Sequence, residues 1–155
     1  MNPTLRDQIR QTKPFASPEQ EAYLGILRTA AELEHALAEL LKPHGITPTQ
    51  YNVLRILRGA GVHGLCRNEV RDRMVARVPD ATRLLDRMEG MRLIERARDT
   101  EDRRFVTARI TRKGLELLRE LDGRVLALHG TQLATLQADE VDTLIRLLDR
   151  IRGTR

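Results

Sequence analysis

The chain has 155 residues, 41% of them hydrophobic and 32% charged, which suits one folded domain with its own core and excludes wholesale disorder. With two Phe, two Tyr and no Trp, the core falls to Leu, Ile, Val, Met and Ala, a palette that favours helices. The net charge of +5 is concentrated: residues 67–113 hold 14 Lys and Arg against 9 Asp and Glu, while the remainder balances at 13 against 13.

In chain order, residues 1–16 are polar and basic with scattered Leu5 and Ile9, a pattern that fits either a frayed arm or a short helix. Ser17-Pro18-Glu19-Gln20 then supplies an N-cap hydroxyl, Pro at the first helical position and a Gln placed to close a capping box. The helix it opens carries Leu24, Leu27, Ala31, Leu33, Leu37, Leu40 and Leu41 and ends at Pro43 to Gly45. Thr47-Pro48-Thr49-Gln50 repeats the start signal, predicting a second helix through Tyr51, Leu54 and Leu57 to about Arg58. A third, short helix is predicted from about Cys66 to Met74, with Glu69 at its third position and Leu65 and Val70 as a hydrophobic staple.

The fourth helix has two faces. Pro79 sets its first turn, Ala81, Leu84, Leu85 and Met88 form an apolar stripe, and Asp80, Thr82, Arg83, Asp86 and Arg87 fall elsewhere. One face docks on the preceding helices and the other is free to enter a major groove, which is wide enough for an α-helix. After Gly90 the period becomes alternating. Residues 93–98 and 105–110 read as strands joined by residues 99–104, a hairpin whose charged tip suits either DNA or plain solvent. Thr111 caps a helix that runs through Leu115, Leu118, Leu121, Val125 and Leu128 to about His129-Gly130. A final amphipathic helix presents Val141, Leu144, Leu148 and Ile151 on one face. These leucine-rich terminal helices carry more apolar surface than so small a core covers, which predicts pairing with a second copy.

A basic excess confined to one segment is the footprint of a phosphate-binding face, although a solvated surface yields the same count. No apolar run reaches the roughly 20 residues of a membrane span, and the N-terminus lacks the apolar stretch of a secretory signal, so a cytoplasmic location without a membrane partner is expected. Cys66 is the single cysteine, and no Cys/His spacing resembles a zinc module. Its place at a helix N-terminus raises a redox-sensor reading, against which stands the lack of a resolving partner. His35, His44, His63 and His129 contain no i, i+4 pair and read as ordinary surface or core residues. With no Ser/His/Asp order, phosphate loop or apolar carboxylate pair, neither an enzyme nor a cofactor or metal is expected.

The sequence Pro79-Asp80-Ala81-Thr82-Arg83-Leu84-Leu85-Asp86-Arg87-Met88-Glu89, followed by Leu93-Ile94-Glu95-Arg96, then Asp99-Thr100-Glu101-Asp102-Arg103-Arg104 and Ile110-Thr111-Arg112-Lys113-Gly114, resembles the MarR family of bacterial regulators. The resemblance spans residues 18–150. It implies a mainly α (α+β) winged helix-turn-helix: a single domain over 1–155, with a DNA-binding lobe at 45–111 and dimerisation helices at 18–42 and 112–152. It further implies a homodimer on a pseudo-palindromic DNA operator. Thr82 and Arg83 would face the DNA, with Pro79, Asp80, Asp86 and Arg87 nearby and Arg103 on the wing. Arg104 would enter the minor groove with Asp102 orienting its guanidinium, a geometry that suits a planar cation in a negative groove. A small aromatic effector, with His35 and Tyr51 as lining candidates, would bind between lobe and dimerisation helices, although both residues would serve equally as packing. Two positions depart from the pattern. Arg92 stands where the family usually has Gly in a left-handed turn, at a cost of about 1 kcal/mol, and Cys66 stands where Ser or Thr is frequent. A reading from another class is a winged-helix module that binds protein and not DNA.

Overall fold

A computed structural model of the chain describes residues 3–98 and 105–153. Near the N-terminus, α1 (Leu5–Gln8) is a single turn closed by a reciprocal cap between Thr4 and Asp7, which decides the arm-or-helix question for that stretch. The long α2 (Pro18–Leu41) starts on Ser17, whose hydroxyl accepts from the Gln20 N–H at 3.2 Å. The expected capping box does not close there, because the Gln20 carbonyl reaches one residue further back and accepts from the Ala16 N–H at 2.8 Å.

The central helix α3 (Pro48–Ala60) does close its box, Thr47 and Gln50 each accepting from the other's backbone N–H. It runs two residues past the predicted stop, to where Gly61 breaks it. Its Tyr51, Val53, Leu54 and Leu57 are buried at the centre of the core. Gln50 is buried as well; its amide oxygen accepts the cap bond from the Thr47 N–H and its amide nitrogen donates to Met91 Sδ at 3.7 Å. Around α3 pack Leu41, Ile46, Leu65, Val70, Leu85, Met88, Leu93, Ile94, Ala108, Leu118, Leu121 and Val125, and each fully buried leucine here contributes about 1.5–3 kcal/mol of apolar transfer.

A two-residue strand β1 (Leu65–Cys66) precedes α4 (Arg67–Arg73) and was absent from the sequence reading. It pairs antiparallel with β3 (Val106–Ile110), matching Leu65 to Ala108, and β3 pairs in turn with β2 (Ile94–Arg98), matching Ile94 to Ile110 and Arg96 to Ala108. The sheet order is therefore β1-β3-β2. Between α4 and β2 lies α5 (Ala81–Gly90). The chain closes with α6 (Arg112–Gln132), which continues through His129 and Gly130 because no left-handed residue interrupts it there, and α7 (Ala138–Arg152).

This is a mainly α winged helix-turn-helix with long flanking helices. The α6 start is welded to the hairpin base: the Thr111 hydroxyl donates to the Arg92 and Leu93 carbonyls at 2.8 and 3.0 Å and accepts from the Gly114 N–H. Further along, Arg58 of α3 grips Asp122 of α6 through two hydrogen bonds of 2.7 and 3.0 Å. In contrast, α7 buries no residue, and its Leu144, Ile145, Leu147 and Ile151 are exposed, as are Tyr23, Ile26 and Leu27 on α2 and Leu126 on α6. Among the described residues no helix is long and apolar enough to cross a membrane.

Candidate nucleic-acid interface

The helix α5 begins two residues later than its proline suggested. Asp80 is the N-cap, its carboxylate accepting from the Arg83 N–H at 3.0 Å, so Pro79 lies just before the helix and not in its first turn. The reason is electrostatic as well as steric: a carboxylate at this end satisfies an otherwise unpaired N–H and complements the helix dipole. Leu85 and Met88 are buried and Ala81 and Leu84 half-buried, while Thr82, Arg83, Asp86 and Arg87 are exposed. The two-faced division read from the spacing is thus the division the packing makes.

On the outward face, Arg83 turns its guanidinium back to the Asp80 carboxylate at 3.2 Å yet stays 88% exposed. Thr82 accepts a hydrogen bond from Arg67 of α4 at 3.2 Å, which sets a second cation beside the outward face of α5. An open groove forms where α4, α5 and the hairpin meet, lined by Arg67, Thr82, Leu85, Arg96, Phe105 and Ala108 among others. Asp102, Arg103 and Arg104 lie outside the described residues, so the pairing expected at the wing tip has no described geometry.

Arg96 is the residue that the sequence reading passed over. Its guanidinium lies 2.6 Å from Asp86 and 2.7 Å from Glu89, and its backbone N–H donates to the other Glu89 oxygen at 3.1 Å. The Arg96 side chain is accordingly only a quarter exposed. These bonds hold the Glu89 carboxyl below the usual carboxylate range, chiefly through the Arg96 side chain, and raise Arg96 through Glu89 first. The signal was present in the alternation: Arg96 falls on the same side of β2 as buried Ile94, and a cation on an inward position calls for a partner.

The α5 C-terminus turns into β2 through Arg92, whose φ is +60°. The Arg92 N–H donates to the Glu89 carbonyl and the Leu93 N–H to the Met88 carbonyl, the paired bonds of a Schellman turn. The left-handed turn is therefore kept with an arginine in the glycine position, and Lys113 caps the neighbouring Met91 carbonyl at 3.0 Å.

The remaining sequence candidates are not brought together. Tyr51 is buried in the core with its hydroxyl accepting from Arg55 at 3.3 Å, while His35 is exposed on α2, and no hydrogen bond joins the two. Cys66 is half-buried at the α4 cap, where its N–H donates to Glu69 at 2.8 Å. Among the described residues no His, Cys, Asp and Glu side chains cluster as a metal site.

The MarR family model matches residues 46–106, from the α3 start to the far hairpin strand. The transcriptional repressor MprA of Escherichia coli is 31% identical over 152 residues, covering 93% of this chain and 85% of the relative. A crystal structure of a MarR transcription factor from Planctomyces limnophilus aligns with a TM-score of 0.67 at 38% identity, covering 88% of this chain and 98% of the other. A mutant MarR from E. coli complexed with operator DNA aligns with a TM-score of 0.75 at 29% identity, covering 81% and 89%.

Proposed function

This chain belongs to the MarR family, and on that premise we propose how it acts as the DNA-binding transcriptional regulator that membership makes it. It works as a homodimer whose two copies of α5 enter successive major grooves of a pseudo-palindromic operator, about one helical turn apart. Thr82 and Arg83 face the DNA, with Pro79, Asp80, Asp86 and Arg87 nearby, and on the wing Arg104 enters the minor groove with Asp102 orienting its guanidinium and Arg103 as a further DNA contact. A small aromatic compound bound between lobe and dimerisation helices releases the DNA. The observation that carries this reading is the outward face of α5: a helix anchored by Leu85 and Met88 leaves Thr82, Arg83 and Arg87 in solvent beside a hairpin bonded along its flank. The E. coli relative complexed with operator DNA supports it.

The test is an anisotropy titration against the duplex upstream of the protein's own gene at two salt concentrations. Binding should weaken steeply with salt, because released counterions supply much of the affinity, and Arg104→Ala should weaken it by roughly tenfold with dimerisation and helicity unchanged. No salt-dependent binding would instead favour a protein-interaction module, and unchanged affinity in Arg104→Ala would remove the wing assignment. Adding small aromatic acids to the same titration tests effector release.

A further inference from the structure

Among the described residues, side-chain ties fix the hairpin at its base and along the flank of α5. Two lie at its base, where Lys113 caps the Met91 carbonyl and Thr111 holds the Arg92 and Leu93 carbonyls. The third is Arg96, further out on β2, opposite Ala108 of β3. Its guanidinium is shared between Asp86 and Glu89, one helical turn apart on α5, and its backbone N–H is held by Glu89 as well. The base ties lie beside Leu93 and the short β1–β3 ladder holds the far strand; the Arg96 bonds join β2 directly to the flank of α5. The arrangement also answers an electrostatic question. Two carboxylates on the flank of a helix that meets phosphates oppose binding unless a cation holds them, and Arg96 holds both.

We propose that Arg96 is a positioning residue for DNA recognition: by bridging Asp86 and Glu89 it locks the hairpin to the flank of α5, so that helix and hairpin engage one duplex together. The inference rests on the DNA-binding reading above and adds the element that sets the wing angle. Arg96 acts through Glu89 in this account, and deleting that acid separates the account from simpler ones. Removing a negative charge from a DNA-facing surface ordinarily strengthens binding; here it should weaken it.

The experiment titrates wild type, Glu89→Ala, Arg96→Met and Arg96→Lys against the upstream duplex across a salt series, with thermal melting and sedimentation of each variant alongside. Glu89→Ala and Arg96→Met should each bind about tenfold more weakly and lower the salt slope by about 1 to 2, as expected when each protomer of a dimer loses a phosphate contact. Arg96→Lys, which keeps the charge without the fork, should recover part of both losses. A purely structural role lowers the melting temperature and leaves the slope of the folded fraction as in wild type, which would overturn the proposal. So would Glu89→Ala binding as tightly as wild type or more tightly, since Arg96 would then act by its own charge. Should Arg96→Met fail to fold, Glu89→Ala decides alone. Absence of salt-dependent binding by the wild type would refute the DNA-binding reading itself, whereas wild-type binding with an unaltered Glu89→Ala would refute only the lock.

Discussion

Arg92 carries the backbone through φ +60° at the turn from α5 into β2, a conformation that costs an L-residue about 1–2 kcal/mol. The Schellman bonds and the buried Leu93 hold it there. Glycine adopts the same turn without the steric cost but loses more backbone entropy on folding, which offsets about 0.5–1 kcal/mol. Arg92→Gly should therefore stabilise the protein by about 0.5–1 kcal/mol, seen as a rise of about 1–4 °C in melting temperature for a chain of this length. A fall would mean that the arginine side chain supplies a compensating contact. The position was legible from the sequence because the turn was expected and the glycine was missing. The partners of Arg96 were not, because Asp86 and Glu89 come within its reach only when α5 folds back along β2.

Where elements meet, two junctions hold the hairpin and lobe to α6. Gly114, buried at the α6 start, lies so close to the hairpin base that an added Cβ would stand 2.5 Å from the Leu93 carbonyl oxygen and 2.7 Å from Ile110. Helix propensity alone favours Gly114→Ala by about 1 kcal/mol, but overpacking against backbone costs about 1–3 kcal/mol, so we expect net destabilisation in a denaturant melt. A stabilised variant would contradict the close approach. The second junction is the Arg58–Asp122 pair. The Arg58 side chain holds Asp122 below the ordinary aspartate range, so its contribution is complete above that range and is lost as pH falls through the depressed value. The melting-temperature gap between wild type and Asp122→Asn should stay constant down to about pH 5 and close progressively below it. The gap itself is small, about 1 kcal/mol at most, because solvent screens a pair this exposed.

At the scale of the molecule, most of the large apolar residues left exposed among the described ones lie on α2, α6 and α7. A lone chain that exposes Tyr23, Ile26, Leu27, Leu126, Leu144, Ile145, Leu147 and Ile151 leaves much of its costliest surface in water. In the proposed dimer these residues are covered, and the spacing of the two α5 helices depends on them. Ile145→Glu should then shift sedimentation from dimer to monomer and weaken DNA binding severely, since one half-site alone supplies about half the contacts. A monomeric wild type that binds DNA as tightly would refute the dimer.

Local chemistry determined the element order: a hydroxyl at Ser17, Thr47 or Thr111 bonds an N–H three residues ahead and needs nothing from the rest of the chain. The two faces of α5 were equally readable, because helical spacing assigns Leu85 and Met88 to one side whatever lies against them. Two features waited on the tertiary structure. Strand β1 is two residues long, too short to show a period, and exists because β3 offers its edge. Arg96 finds acids seven and ten residues away once the turn at Arg92 brings α5 alongside β2. Periodicity and capping are written within one or two helical turns, whereas a partner across a turn is chosen by where the folded backbone puts it.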